Sequence, residues 1–222
     1  MLHAAAWKRT FDEFLEQRAA RTGEPYVPFD EVGDYDRFVD GRPRLDGTRA
    51  FLGSRGIDLA EGAPDDPAGA ETIHGLSTAK NELVVSMIRQ GGVDVYPGSA
   101  RFLVEVRSLS FATAVVSSSA NTREVLHATG LEGSFDAVVD ALVASAEHLE
   151  GKPAPDTYLA AAGRLGVAPS GAAVFEDALA GVEAGRTGGF GLVVGVDRVG
   201  QAGDLIAHGA DVVVADLGEL VE

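Results

Sequence analysis

The sequence has 222 residues, the size of one large domain or two small ones. Hydrophobic residues make up 45% of it, enough to bury a core, and the absence of cysteine excludes disulfide scaffolds, thiolate nucleophiles and cysteine-ligated metal sites. Eighteen Lys and Arg against 34 Asp and Glu give a net charge of −16, which argues against nucleic acid as a partner. No apolar run reaches the roughly 18 residues of a membrane span, and the N-terminus lacks a secretion pattern. These features predict a cytoplasmic protein that binds neither nucleic acid nor membrane.

Residues 1–88 are predicted to form a helical domain. An apolar stripe at helical spacing indicates a first helix, and its members are Trp7, Phe11, Phe14 and Leu15. Further helices are predicted over 46–54 and 78–88. The Gly-, Pro- and Asp-rich stretch 61–69 between them is predicted to be a loop.

In residues 89–222, short apolar runs alternate with helical stretches. The runs predicted as strands are 112–117, 135–140, 172–175, 191–196 and 211–215. The predicted helices are 121–129, 156–165, 178–186 and 201–208. Continuous β-branched runs that alternate with helices are typical of a parallel sheet covered on both faces. The fold class is therefore predicted as α/β: a Rossmann-like, doubly wound parallel sheet over 89–222, with a separate helical domain over 1–88.

The first of three polar strand ends is the run Ser117-Ser118-Ser119-Ala120-Asn121-Thr122. Ligands of open parallel sheets bind beyond the carboxyl ends of the strands. Hydroxyls and backbone N–H groups at the start of a helix suit a phosphate there. The alternative is ordinary helix capping by Ser119 or Asn121.

The second polar strand end is the segment 151–156, Gly-Lys-Pro-Ala-Pro-Asp. Its two prolines stiffen the loop and hold Lys152 where an ammonium could meet a phosphate. The alternative is an exposed lysine in a turn.

The third polar strand end is Glu176-Asp177, directly after the apolar run AAVF. Two carboxylates at the end of a buried strand repel each other unless a cation neutralises them. Mg²⁺ fits this role because it takes one or two carboxylates together with water and phosphate oxygens. The alternative is an acidic first turn favoured by the helix dipole.

Hydroxyl, lysine and acidic pair, in this order along the chain, are the groups needed to move a phosphoryl group. A receiver domain uses the same groups with the acidic pair first and the lysine last, and the order observed here argues against it.

Several segments together carry a resemblance to a known family: VVSSSANTREVL, GKPAPDTYL and VFEDALAGVEAGRTGGF, with HAAAWK near the start and VYPGS at 95–99. On these segments the chain resembles the haloacid dehalogenase superfamily and, within it, the β-phosphoglucomutase-like sugar-phosphate group. The resemblance extends over essentially all 222 residues. It implies that residues 1–88 are a cap that closes over the sugar.

The resemblance also implies residue roles. Ser117 would hold the transferring phosphoryl group, with Ser118, Ser119 and Asn121 in the substrate-binding loop. Lys152 would neutralise that group, and Glu176 and Asp177 would help to bind Mg²⁺. In the cap, His3 would orient catalysis, and Arg44 and Lys80 would grip the substrate. The alternatives are a terminal histidine for His3, a hydrated arginine face for Arg44 and a solvated helix charge for Lys80.

One part of the family pattern is missing. The family's nucleophile and its general acid/base are two aspartates of an Asp-x-Asp-Gly motif at the end of a first strand, before the cap. Here the sequence begins at the cap, and Asp34-Tyr35-Asp36-Arg37 has the spacing but neither the preceding strand nor the glycine. That strand lies in the middle of the family's sheet, so its absence would leave two unpaired strand edges and remove one Mg²⁺ ligand. We expect the natural protein to be longer and to carry this segment.

The function predicted from these features is an Mg²⁺-dependent phosphotransferase acting on a small sugar phosphate, as a mutase or as a phosphatase. Ala120 stands where some mutases carry a lysine, which weakens the mutase interpretation. The alternative, supported by the missing aspartates, is a catalytically inactive binding protein of the same fold. A dehalogenase is disfavoured because the cap carries several cations suited to a phosphorylated substrate. The protein is expected to be a monomer.

Overall fold

The structure, a computed structural model, describes residues 2–90 and 93–221. The chain divides into two compact units. The first comprises Met1–Asp40 and Arg44–Val93, and the second comprises Gly41–Pro43 and Asp94–Glu222. All the strands described lie in the second unit, which confirms the α/β fold class with a helical part and a parallel-sheet part. Within the described residues, no helix is long and apolar enough to cross a membrane.

The first unit contains three α-helices in its described part, α1 (Leu2–Thr22), α2 (Arg44–Ser54) and α3 (Ile73–Arg89), with a π-helical turn at Tyr35–Val39. The predicted helices 46–54 and 78–88 correspond to α2 and α3. Helix α3 begins earlier than predicted because Thr72 caps it: the Thr72 hydroxyl accepts a hydrogen bond of 2.9 Å from the Gly75 N–H.

The core of the first unit is a cluster of aromatic rings. Phe11 lies 4.2 Å from Phe51 and 4.9 Å from Trp7 between ring centroids, and Phe29 contacts Phe51 edge-on at 5.0 Å. Phe11 and Phe51 have no exposed surface. The predicted apolar stripe of α1 is confirmed, because all four of its residues are buried in this cluster.

The second unit alternates strands and helices, and its strands are parallel. Each predicted strand and helix of this part overlaps an observed one. The strands are β1 (Ala114–Val116), β2 (Ala137–Val139), β3 (Ala173–Glu176), β4 (Leu192–Val196) and β5 (Val212–Val214). The helices are α4 (Pro97–Ser108), α5 (Thr122–Ala128), α6 (Ala141–Ala146), α7 (Asp156–Leu165), α8 (Leu179–Thr187) and α9 (Ala202–Ala207).

The strands form two sheets where the sequence predicted one. β1 pairs with β2, and β3, β4 and β5 form a second sheet in that order. The division has a simple cause: within residues 2–90 and 93–221 no strand lies between β1 and β3 to join them. Among the described residues, β1 and β3 each lie at an edge of their own sheet. The side chains nevertheless share a core, since Val116 of β1 packs against the buried cluster around Val174 and Val193.

The aromatic cluster predicts a large effect of truncating its central ring. We expect Phe51→Ala to lower the free energy of unfolding by about 3–5 kcal/mol, because the site loses a fully buried ring and three ring contacts. Urea unfolding followed by circular dichroism measures the change. The control is Val32→Ala in the same unit, whose side chain is largely exposed and which we expect to change the free energy by less than about 0.5 kcal/mol. Equal losses in the two variants would contradict this account of the core.

Candidate active site

The end of β3 carries a buried ion pair. Glu176 is the last residue of β3, and its Oε2 accepts a hydrogen bond of 2.6 Å from Lys152 Nζ. The side chains are only 5% and 11% exposed for Lys152 and Glu176, so water solvates neither charge well. Lys152 lies in the loop just before α7, as predicted, but it is not the exposed lysine of the alternative interpretation.

A third side chain, Tyr158 of α7, completes this cluster. Its hydroxyl donates a hydrogen bond of 2.5 Å to the same Oε2 of Glu176, and the Lys152 ammonium lies 4.8 Å from the centre of its ring. The other carboxylate oxygen, Oε1, accepts from the backbone N–H of Ala178 at 3.1 Å. Tyr158, Lys152 and Ala178 therefore hold both oxygens of Glu176 in place.

The electrostatics of Glu176 result from two opposing effects. Burial raises the pKa of its carboxyl, but the Lys152 charge and the hydrogen bonds outweigh burial, so the pKa lies below its ordinary value. Burial also raises the pKa of Tyr158 well above its usual range, and the Glu176 carboxylate adds to that effect. Tyr158 is thus a proton donor and Glu176 an ionised acceptor at neutral pH.

Gly181 of α8 explains part of the sequence motif that follows the acidic pair. A Cβ atom at this position would lie 2.2 Å from Cδ of Glu176, which is closer than two carbon atoms can approach. Glycine is therefore required for α8 to pack onto the carboxylate.

The serine run after β1 forms a sequence of turns closed by its own hydroxyls. Ser117 Oγ accepts from the N–H of Ser119 at 3.1 Å, and Ser119 Oγ accepts from the N–H of Asn121 at the same distance. Ser118 Oγ instead donates to the carbonyl of Gly41 at 2.9 Å. Asn121 precedes α5 and is buried, but its side chain makes no capping bond. The hydroxyl protons of Ser117 and Ser119 remain suited to an oxygen acceptor, because each Oγ is used here as an acceptor.

Asp177 follows Glu176 and is exposed at the strand end. Its backbone carbonyl accepts from Gln201 Nε2 at 3.0 Å. An exposed carboxylate beside a neutralised one fits Mg²⁺, which binds one or two carboxylates and completes its shell with water and phosphate oxygens. Within the described residues no group of three or more His, Asp and Glu side chains could hold a metal alone. Glu176 Oε2 already accepts hydrogen bonds from Lys152 and Tyr158, whereas the Asp177 side chain is exposed.

The first unit contains a separate cationic cluster. Lys80 Nζ lies 2.9 Å from Nδ1 of His3, 77 positions away in the sequence, and 4.9 Å from the centre of the Trp7 ring. Burial, followed by the charge of Arg44, lowers the pKa of Lys80 to about 7. Burial and the Lys80 charge lower the pKa of His3 to about 3, so His3 is neutral and can accept a proton from Lys80 in a hydrogen bond. The structure thus brings together two of the three predicted cap residues in direct contact.

Arg44, the third predicted cap residue, begins α2. Its Nε is buried and has no hydrogen-bond partner in the described part of the chain. Neither Arg44 nor Lys80 takes part in an ion pair among the described residues, although the whole chain carries a net charge of −16. Lys80 is buried and Arg44 is partly buried, and cations without carboxylate partners are suited to an anionic ligand.

Asp34 and Asp36 do not replace the missing motif. They lie at a π-helical turn and not at a strand end, and Asp34 Oδ2 accepts hydrogen bonds from Arg55 at 2.6 Å and from the N–H of Asp30 at 2.9 Å.

Sequence reasoning missed Tyr158 altogether. Its spacing with Ala161 and Ala162 indicates only a buried helix face, and nothing in that pattern shows that its hydroxyl meets Glu176.

Comparison with known proteins gives a consistent result. Residues 1–189 match the family model of haloacid dehalogenase-like hydrolases. Proteins named beta-phosphoglucomutase from Mycobacterium bovis and Mycobacterium tuberculosis are 53% identical over 223 residues, which cover 99% of this chain and 85% of each relative. The fructose-1-phosphate phosphatase YqaB of Escherichia coli is 38% identical over 128 residues, covering 54% of this chain and 61% of that protein.

Solved structures support the same fold. A beta-phosphoglucomutase from Clostridium difficile aligns with a TM-score of 0.75 at 25% identity, covering 99% of this chain and 86% of that one. A hydrolase from Pseudomonas syringae aligns with a TM-score of 0.77 at 22% identity, covering 99% and 88%, and shows likeness of fold alone.

The Lys152–Glu176 pair predicts a pH-dependent contribution to stability. We expect Glu176→Gln to lower the free energy of unfolding at neutral pH by about 3–5 kcal/mol, because it leaves the Lys152 charge buried and uncompensated. The folded-state pKa of Glu176 is depressed, so its contribution is complete above the ordinary value of 4.5 and is lost as pH falls through the folded pKa. The difference between wild type and variant should therefore narrow below pH 4.5.

Urea unfolding across this pH range measures that difference. The matched control is Glu183→Gln, an exposed carboxylate of the neighbouring helix α8, which should follow the wild-type curve. If the free energy of unfolding of the wild type and that of Glu176→Gln depended on pH in the same way, ionisation of Glu176 would make no contribution to stability, which would contradict this prediction.

Proposed function

Because the chain belongs to the haloacid dehalogenase-like hydrolase family, we propose that it transfers phosphoryl groups of sugar phosphates with Mg²⁺, as a phosphomutase or as a sugar phosphatase. The chain is an enzyme of the phosphatase and phosphomutase type, as its family and its 53%-identical relatives indicate. The observation that carries the finer proposal is the buried Lys152–Glu176 pair at the end of β3, with the exposed Asp177 beside it.

Lys152 is suited to neutralise a phosphoryl group. An ammonium has three donors, and Glu176 accepts one of them, so two remain for oxygen atoms of a substrate. Glu176 and Tyr158 fix the position of the ammonium before substrate arrives, so little reorganisation is needed when charge develops in the transition state. Ser117 would donate its hydroxyl proton to another phosphoryl oxygen, since its Oγ already accepts from Ser119.

Asp177 is the residue we propose as the Mg²⁺ ligand of this chain. Bound Mg²⁺ would neutralise negative charge on the phosphoryl oxygens. The chain's own contribution is to keep Asp177 exposed at the strand end while Lys152 neutralises Glu176, so that the two adjacent carboxylates do not compete for one cation.

In the first unit, Arg44 and Lys80 are proposed to bind the anionic part of the substrate. Lys80 donates to neutral His3, which orients the ammonium, while the buried Nε of Arg44 supplies a second donor. His3 is thus proposed to act through Lys80, as a residue that orients the substrate-binding cation.

A second candidate function, proposed for residues 1–222 by themselves, is binding of a sugar phosphate without turnover. The family's Asp-x-Asp-Gly motif does not occur in residues 1–222. Without that carboxylate, the residues described here would bind a sugar phosphate and Mg²⁺ but form no aspartyl phosphate.

Incubation with β-glucose 1-phosphate, Mg²⁺ and a bisphosphate activator separates these functions. Isomerisation supports a mutase, and release of inorganic phosphate alone supports a phosphatase. Ligand binding measured by calorimetry without either product supports the binding protein and overturns the catalytic proposal.

Removal of the Lys152 charge should abolish most of the activity. We expect Lys152→Met to lower turnover by about 100-fold, because the phosphoryl group loses its preorganised cation.

Asp177→Asn should raise the Mg²⁺ concentration needed for half-maximal turnover. Asp204→Asn, an exposed carboxylate in α9, is the matched control and should leave both quantities unchanged. An unchanged Mg²⁺ requirement in Asp177→Asn would contradict the assignment of the metal ligand.

Anion binding by the first unit should depend on pH through Lys80. Its pKa is lowered to about 7, so the ammonium loses its proton and its attraction for anions as pH rises through that value. Sulfate is the probe, because its charge is constant over this range. We expect calorimetry on the Lys152→Met background to show weaker sulfate binding at about pH 8 than at about pH 6. Lys80→Gln should remove this dependence, and Lys8→Gln, a surface lysine of α1, should retain it.

A further inference from the structure

The carboxyl end of β2 carries a carboxylate that is completely buried. Asp140 follows β2 directly and has no exposed surface. Its Oδ1 accepts a hydrogen bond of 2.9 Å from the N–H of Val143 in α6, and its Oδ2 accepts one of 3.2 Å from Nε of Arg123. Arg123 lies in the first turn of α5 and forms an ion pair with this buried carboxylate.

The Arg123–Asp140 pair lies at the same edge of the sheet as Ser117. β1 and β2 are parallel, and Val116 pairs with Val139 at the end of the ladder. Ser117 and Asp140 are therefore the next residues of the two chains at this edge, where ligands of parallel sheets bind.

The carbonyl of Ser119 connects the two helices that carry the pair. It accepts a hydrogen bond of 2.8 Å from Thr122 Oγ1, the residue before Arg123, and one of 3.3 Å from the N–H of Ala141, the residue after Asp140. The serine run, α5 and α6 thus meet at one carbonyl, which places Arg123 beside the predicted phosphate-binding loop.

Arg123 keeps most of its donors available. A guanidinium has five N–H donors, and Asp140 accepts one of them at Nε. Within the described residues, Nη1 and Nη2 of Arg123 form no hydrogen bond, and 60% of the side chain is exposed. Arg198, just after β4, differs in this respect, because both of its Nη atoms donate to groups of the protein and its side chain is only 16% exposed.

A guanidinium held at one nitrogen is suited to bind an oxyanion with the others. Arginine binds phosphate through two parallel N–H···O bonds, because the spacing of its donors matches that of the oxygens. The bond from Nε to Asp140 restricts the side chain before a ligand arrives, so less conformational freedom is lost on binding. Residues 117–122 include no charged side chain, so Arg123 is the first cation after the serine run.

We propose that Arg123 binds the second phosphate of a sugar bisphosphate whose first phosphate is bound by Ser117 and Lys152. Arg123 thereby distinguishes bisphosphates from monophosphates, and Asp140 acts through it as a positioning residue. This inference rests on the proposed function, because it takes Ser117 and Lys152 as the binding site of the first phosphate.

Titration calorimetry with glucose 1,6-bisphosphate and with β-glucose 1-phosphate tests this role. Mg²⁺, on which phosphoryl transfer is proposed to depend, is omitted so that both ligands stay intact. We expect Arg123→Gln to weaken binding of the bisphosphate at least about tenfold, because two charge-assisted hydrogen bonds are lost. Binding of the monophosphate should stay within about twofold of wild type, because Ser117 and Lys152 are unaltered.

The matched control is Arg186→Gln. The Arg186 side chain is also 60% exposed and also pairs with an aspartate, Asp211. It lies in the last turn of α8, however, and Asp211 precedes β5, so this pair is at the amino ends of the strands. We expect Arg186→Gln to bind both ligands as the wild type does. An equal loss of bisphosphate affinity in this control would assign the effect to net charge and overturn the proposal.

Arg123→Lys separates ligand binding from neutralisation of Asp140. Lysine keeps a positive charge beside the buried carboxylate but lacks the planar pair of donors. We expect this variant to melt at the wild-type temperature by circular dichroism and to bind the bisphosphate several-fold more weakly. If Arg123→Gln lost affinity for both ligands equally, Arg123 would serve only the structure through Asp140, and the proposal would be overturned.

Failure of the proposed function gives a different result. If the wild type bound neither ligand, with Mg²⁺ or without it, Ser117 and Lys152 would not form a phosphate site, and both proposals would be overturned. If the wild type bound both ligands and Arg123→Gln kept the ratio of their affinities, the proposed function would stand and only the role of Arg123 would be wrong.

Discussion

The site in the second unit depends on one carboxylate that must stay ionised while it is buried. Glu176 ends β3, Lys152 precedes α7 and Ala178 precedes α8, so three segments of the chain meet at its two oxygens. Removal of one partner of such a pair costs more than the pair contributes, because the remaining charge is left without solvent. The requirement for glycine at position 181 and the buried hydroxyl of Tyr158 follow from the same carboxylate.

The two units differ in whether a carboxylate neutralises their cationic side chains. In the second unit the Lys152 charge is matched by Glu176 inside the protein. In the first unit Lys80 and Arg44 lack a carboxylate partner among the described residues, and burial accordingly lowers the pKa of both side chains. An acidic chain has many carboxylates with which to neutralise two cations, so their isolation is a property of the site and not of composition. A cationic site that the protein leaves unneutralised is suited to an anionic ligand from outside.

Local signals in the sequence predicted most elements, but not the contacts between distant ones. Helix α7 was predicted with its observed ends because Asp156 begins it and Gly166, with φ +70°, ends it. Helix α6 was missed because six residues, ALVASA, are too few for a helical period to emerge. The approach of His3 to Lys80 and of Tyr158 to Glu176 depends on packing between elements far apart in sequence. Family resemblance pointed to the first pair, and no pattern pointed to the second.

The division of the sheet shows what the pattern of apolar side chains in the sequence does not determine. Alternating strands and helices predicted parallel strands correctly, since that pattern determines which faces are buried. It does not determine whether each strand edge finds a neighbour, which depends on hydrogen bonds of the main chain. β1 and β3 face an apolar cavity, whereas β2 and β5 are the outer edges of their sheets and do not line it. Whether two neighbouring strands are joined is therefore decided by main-chain hydrogen bonds, which the alternation of strands and helices in the sequence does not record.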